Sequence, residues 1–165
     1  MSRIRPDQLL IPSILDRLLD DEPDNKHERP ASRAQVLREL KQSVRRDLEH
    51  LLNTRVCLRE LPSDLEEVQT SVLNYGIPDF GGLARASADQ QELLRRRVED
   101  VIRKFETRFK QVRVEFALDA RDQLQRTIRF RINGVLHAEP APEPVAFDSQ
   151  LSPTLGLFQV KASDS

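Results

Sequence analysis

LRRRVEDVIRKFETRFKQVRVEFAL, residues 94–118, changes its repeat halfway along. In the first half Leu94, Val98, Val101, Ile102 and Phe105 recur three or four residues apart, the spacing that lines one face of an α-helix. From Phe109 the repeat is two. Val112, Val114, Phe116 and Leu118 alternate with Gln111, Arg113, Glu115 and Ala117, as in a strand with one buried face. Glu106-Thr107-Arg108 lie at the changeover, and the geometry of that boundary decides where the two charges point. In a continuing helix residues two apart project about 200° apart around the axis; in an extended chain they share a side.

Upstream the reading is helical. Ser87 with Gln90 caps the helix just described, and Ser32 with Gln35 opens an earlier one. Val36, Leu37, Leu40, Val44, Leu48, Leu51 and Leu52 predict that helix over 33–52, with Asn53 as a left-handed stop. Between the two, Ser63 with Glu66 marks a shorter helix carrying Leu65, Val68 and Val72, which ends before the loop Tyr75–Gly82. Residues 1–31 read as an arm. Ser13 and Asp16 make a capping-box-like start, and Ile14, Leu15, Leu18 and Leu19 form an apolar face too short to be stable undocked. Asp20 to Asn25, acidic and broken by Pro23, is a linker.

Downstream the reading is extended. Asp119–Asp122 is a turn, and Ile128, Phe130, Ile132 and Leu136 share the phase of a second strand, with Arg129 and Arg131 on its other face. Asn133-Gly134 could close a hairpin, but Gly134 keeps the phase of Ile132 and Leu136. That favours one long strand with a bulge or close packing at the glycine. Val145–Phe147 and Leu157–Val160 are two further short strands beyond a proline-rich segment. Helices first and strands after define an α+β fold, with N-terminal helices packed on a small antiparallel sheet formed by the C-terminal half. The expected boundaries are an arm at 1–31, a body at 32–161 and a tail at 162–165.

Composition narrows the chemistry. With 26 basic and 27 acidic residues the net charge is −1, which does not support a nucleic-acid field over the whole protein. Arg95-Arg96-Arg97 does not make one patch, because consecutive helix residues point about 100° apart. The single cysteine, Cys57, has no internal disulfide partner and suits a reducing compartment. No stretch reaches the roughly 20 apolar residues of a membrane span, and the N-terminus lacks a signal-peptide core. The expectation is a cytoplasmic protein. His27, His50, His137 and Cys57 have no metal-ligand spacing, and no nucleophile elbow, phosphate loop or nucleotide fingerprint is present. A glycosidase pair needs two carboxylates about 5–10 Å apart in a cleft, one with a raised pKa. Here Glu66, Glu67, Glu99 and Asp100 fall on helix surfaces among basic neighbours, and with no tryptophan and one tyrosine there are few platforms for sugar rings.

Several segments together resemble the TssE-like baseplate wedge proteins of type VI secretion systems, part of a phage-tail wedge family with an older lysozyme-like label. They are Ser13–Asp20 in the arm, Arg45–Arg55 at the end of the first body helix, and Val72–Asp79, the most specific piece. Ile102–Phe109 matches the family's Glu-Pro-Arg region, and Phe130–Leu136 its sheet. The likeness covers nearly the whole chain in order. One departure is that Thr107 stands where the family has proline between the glutamate and the arginine.

The resemblance implies a non-enzymatic structural subunit without cofactor or metal. It would sit in a baseplate wedge with TssF and TssG, within a wider baseplate including TssK and associated with the inner membrane. Its sheet would offer the sheath subunits TssB and TssC a first template for polymerisation. It implies no nucleic acid and no insertion into the membrane. Rival readings are a peptidoglycan hydrolase, as the older label suggests, and a wedge protein of a related phage-like particle. Within this expectation Glu106 and Arg108 contact the sheath or, alternatively, brace the helix–strand corner. Ile14, Leu15, Leu18 and Leu19 dock the arm on a partner or on the body. An edge strand near Val145–Phe147 or Leu157–Val160 accepts a sheath strand by main-chain bonds.

Overall fold

The computed structural model describes residues 15, 18, 32–56, 64–78, 88–117, 128–138, 141–152 and 156–163. Its body consists of a long helix α1 (Arg33–Asn53), a short helix α2 (Glu66–Thr70) followed by a 3-10 turn (Val72–Asn74), a second long helix α3 (Ala88–Phe105), and four strands. The strands are β1 (Phe109–Phe116), β2 (Ile128–Leu136), β3 (Glu143–Ser152) and β4 (Leu157–Ala162). They form one antiparallel sheet in chain order, β1-β2-β3-β4. The α+β expectation is met.

The pleat sorts the sheet into two faces. Val114, Phe130, Ile132, Leu136, Val145, Phe147, Leu151, Phe158 and Val160 share one face and are buried. They pack with Val44, Leu48, Leu51 and Leu52 of α1 and Leu94, Val98, Val101 and Ile102 of α3 in a single core. Each such side chain is worth about 1.5–3 kcal/mol on full burial, so this one layer of contact stabilises the domain. Arg113, Glu115, Arg131, Gln150, Gln159 and Lys161 lie on the opposite face and are exposed. There Arg131 bonds Asp148, its directly paired neighbour, at 2.9 Å.

α1 starts as its capping box requires, with the Ser32 hydroxyl accepting from the Gln35 N–H at 3.3 Å. Its end differs from expectation. Asn53 is the last helical residue rather than a left-handed stop, and extended Thr54 caps the helix, its N–H donating to the carbonyls of His50 and Leu51. The physical reason lies in the Asn53 side chain, which is committed to β4 as described below. α2 is a single turn, and Leu65 and Val72 are exposed rather than buried. Gly134 lies within a continuous β2, and the Phe109 ring fills the space a Cβ would need. The bulge falls on β1 instead, between Phe109 and Gln111. β3 is longer than predicted and interior, bonded to β2 along its length and to β4 from Phe147 onward. Val145–Phe147 therefore lies in an interior strand, where Phe147 pairs with Ala162 and the Ala146 carbonyl accepts from the Ser163 N–H.

Leu15 and Leu18 of the arm are helical and exposed, at 55% and 76%. Ile14, Leu19, the linker, Cys57, the caps at Ser63 and Ser87, Asp79–Gly82 and the turn at Asp119–Asp122 lie outside the described residues.

After α1 the chain makes a close crossing. The Ile77 N–H donates to the Thr54 carbonyl at 2.9 Å, and the Val56 N–H to the Ile77 carbonyl at 3.1 Å. Gly76 sits between them at φ 105°, and a Cβ there would run into the Thr54 carbonyl oxygen. Both the left-handed backbone and the close approach demand glycine. Gly76→Ala should lower stability by about 1–3 kcal/mol, the range for a strained backbone position. The denaturant midpoint, at unchanged m-value, measures it.

Candidate functional site

The changeover between α3 and β1 folds into a tight corner. The Glu106 N–H still donates to the Ile102 carbonyl at 2.9 Å, closing the last turn of α3, and the Phe109 N–H donates back to the Glu106 carbonyl at 3.2 Å. Glu106 to Phe109 is thus a β-turn with Thr107 at its second position. The Arg108 carbonyl accepts from the His137 N–H at 2.8 Å, tying the corner to the end of β2.

Arg108 turns inward rather than out. Its Nε donates to Glu106 Oε1 at 2.7 Å, one Nη to Ser43 Oγ at 2.9 Å, and the other to Asp47 Oδ2 at 2.6 Å and also to Glu106. The Arg108 backbone N–H adds a bond to Glu106 Oε1 at 3.2 Å. Glu106 is 7% exposed. Burial opposes the charge on Arg108, but the carboxylates of Glu106 and Asp47 outweigh it and push the guanidinium pKa above its ordinary value. Tyr75 borders the same cluster, its ring edge-on to Phe105 at 5.3 Å. Burial, then the charges of Asp47 and Glu106, raise its phenol pKa.

Three segments singled out in the sequence therefore meet here: the end of α1, the stretch around Tyr75-Gly76-Ile77, and Glu106-Thr107-Arg108. Of the two roles the sequence leaves open for Glu106 and Arg108, the bonds of the internal brace are in place. Ser43 and Asp47 were not foreseen as partners. Their helix position was legible, but the crossing of α1 over the corner is tertiary.

A second arrangement, unseen in the sequence, guards both sheet edges. On β4 the Asn53 side chain accepts from the Phe158 N–H at 2.8 Å and donates to the Phe158 carbonyl at 2.9 Å. Arg45 donates to the Val160 carbonyl at 3.2 Å and Arg55 to the Gly156 carbonyl. On β1 Glu99 Oε2 accepts from the Val114 N–H at 3.0 Å, and Arg95 donates to the Val114 carbonyl at 2.9 Å. Each edge thus carries one residue whose N–H and C=O are both occupied by helix side chains, as another strand would occupy them. Leu157–Val160 is an edge strand, as expected, and its Phe158 N–H is bonded within the chain to Asn53.

Arg95 and Glu99 belong to a run of ion pairs along α3 that includes Glu92, Arg96, Asp100 and Arg103. Hydrogen bonds from Arg95 and Arg96 hold the Glu92 carboxyl down at about 2. Burial pushes the Glu99 carboxyl up, but the Val114 N–H and the Arg103 and Arg95 guanidiniums leave it lowered. Both are shifted away from what a general acid needs. Among the described residues no group of His, Cys, Asp and Glu is placed to hold a metal, and no helix is long and apolar enough to cross a membrane.

The arrangement is that of a compact α+β domain whose polar side chains are spent on bracing a corner and covering strand edges. The family described as baseplate wedge protein gp25 matches residues 38–141, more than half of the chain, and the chain belongs to that family. No curated protein matches it. Among solved structures it is similar to a chain of the baseplate complex from the type VI secretion system, with 18% identity and a TM-score of 0.47, over 78% of this chain and 97% of that one.

Two substitutions test the corner. Arg108→Ala leaves Glu106 buried without its cation and should cost about 3 kcal/mol, the low end for breaking a buried pair; thermal unfolding reads it. Thr107→Pro should do the reverse. The second position of a β-turn favours proline, and no bond from the Thr107 N–H is among the turn's contacts. A gain of about 0.4–1 kcal/mol, from a less flexible unfolded chain, is expected in chemical denaturation.

Proposed function

We propose that the chain is a structural baseplate component of a type VI secretion system, one that anchors the contractile sheath and initiates its polymerisation. The observation that carries this reading is membership of the baseplate wedge family through residues 38–141. The likeness of Val72–Asp79 and of the arm to type VI wedge proteins favours a secretion system over a related phage-like particle. The architecture suits the role. A braced antiparallel sheet with one face free of the described helices is a rigid template, and strand addition at its edge would propagate order into a polymer. TssF and TssG are the wedge partners of this reading, TssK belongs to the wider baseplate, and TssB and TssC are the sheath subunits received.

Glu106 and Arg108 enter this proposal indirectly. They fix the angle at which α3 passes into β1, and with it the attitude of the sheet toward an incoming sheath subunit. A direct contact would require the corner to open. The arm enters directly. Leu15 and Leu18 are exposed on a helical segment, and an apolar stripe on a tether calls for a partner surface. We assign that surface to the wedge subunits.

Deleting residues 1–22 should leave the melting transition of the body unchanged while co-purification with TssF and TssG falls at least tenfold. Retained co-purification would move the arm's role elsewhere. Failure of the full chain to bind either subunit, together with release of fragments from purified peptidoglycan, would overturn the structural reading in favour of a hydrolase.

A further inference from the structure

The two edges of the sheet are closed by different chemistry. On β1 the register with β2 runs unbroken from Gln111 to Phe116. Val112 and Phe116 therefore point their N–H and C=O groups the same way as Val114, away from β2. Only Val114 of these three has side-chain partners on that side among the described residues. A groove of about 600 Å³ runs along this edge between α3 and β1. Its free backbone groups recur every second residue, about 6.8 Å apart, a spacing that an extended backbone matches.

The closure on β1 is also the one that can be undone. Arg95 has Glu92 as a second carboxylate partner, and Glu99 has Arg103 as a second cation. Both side chains keep charged partners if they leave Val114. Asn53 has no such alternative among its bonds, which all go to Phe158. Its release would strand a part-buried amide, and an unmet buried polar group is costly. The β4 closure is moreover reinforced on either side by Arg45 and Arg55.

We infer that β1 is the edge that accepts a strand from the sheath subunit, and that Arg95 and Glu99 form a removable lock on it. The lock occupies the middle of three rungs, so an incoming strand engages Val112 or Phe116 first and then displaces the two side chains. The inference rests on the sheath-initiating reading and adds to it the edge and the device that controls it. A competing occupant is a second copy of the chain. In an antiparallel pairing centred on Val114, Arg113 would face Glu115 of the other copy, and the lock would have to be absent for that pairing to form.

The test is residue-resolved amide exchange on the full wild-type chain, alone and with purified sheath subunits, alongside seeded sheath growth. Val112 and Phe116 amides should exchange quickly in the free chain and slow at least tenfold with sheath subunits, while those of Val160 and Ala162 stay unchanged. Val112→Pro, which removes an outward N–H at a strand edge where proline is tolerated, should abolish seeding, and Ala162→Pro should not. Glu99→Ala should speed seeding roughly tenfold, since it removes a hydrogen bond to a charged group that the incoming strand must displace. Protection at Val160 and Ala162 instead, or seeding by Val112→Pro, overturns the edge assignment while leaving sheath initiation intact. Unchanged seeding by Glu99→Ala overturns the lock. A concentration-dependent dimer of Glu99→Ala in sedimentation, without faster seeding, replaces the sheath strand by a second copy. A wild-type chain that neither seeds nor binds sheath subunits defeats the parent reading and this inference with it.

Discussion

The guanidinium of Arg108 is the point at which the layers of this domain are joined. It reaches Ser43 and Asp47 on α1, Glu106 at the end of α3, and through its own backbone the start of β1 and the end of β2. A helix that runs straight into a strand has few ways to return over its own core, and the turn at Glu106–Phe109 supplies one. The cation then holds that turn against α1. Arginine suits this position better than lysine, because a planar fork serves several acceptors at once while an ammonium is a point charge.

With the corner fixed, α3 must run alongside β1, and α1 alongside β4. Each long helix therefore lies beside one sheet edge, which puts its polar side chains within reach of unpaired strand backbone. Arg45 and Asn53 of α1 reach Val160 and Phe158 in turn, so the helix runs antiparallel to β4, while Lys41 reaches Glu143 at the start of β3. Arg95 and Glu99 do the equivalent on β1. A small domain thus limits edge-to-edge aggregation without adding a strand or a proline at either site.

The order of elements was legible because period is a local property. Leu94 to Phe105 and Phe109 to Phe116 announced helix and strand, and the shared phase of Ile132, Gly134 and Leu136 announced an unbroken β2. The identity of the edges was only partly legible: Leu157–Val160 lies in an edge strand, Val145–Phe147 in an interior one. Strand order depends on which segments pair, and Val145–Phe147 carries no mark that distinguishes an interior strand from an edge. Asn53 shows the same limit from the side of the site. Asparagine after a helical run usually signals a left-handed stop, and the hydrogen bonds to Phe158 that override this preference join residues 105 apart in sequence. Thr107 is the converse case. Its turn position follows from local bonds alone, which is why a proline there in the resembling proteins now has a physical account.

A sheet that nucleates a polymer faces opposed demands at its edges. Left open, they pair with any strand and aggregate; closed permanently, they cannot receive the intended one. A neutral amide with no second partner suits permanent closure, since release leaves it unmet. An ion pair embedded in a larger run of ion pairs suits temporary closure, because its members keep their charged partners when they leave the strand backbone. Under the proposed role, the distribution of Asn53 on one edge and Arg95 with Glu99 on the other would meet both demands within one sheet. In that role the charge ladder of α3 has a use beyond stability, because Glu92 and Arg103, already bonded to Arg95 and Glu99, would hold them if Val114 were given up.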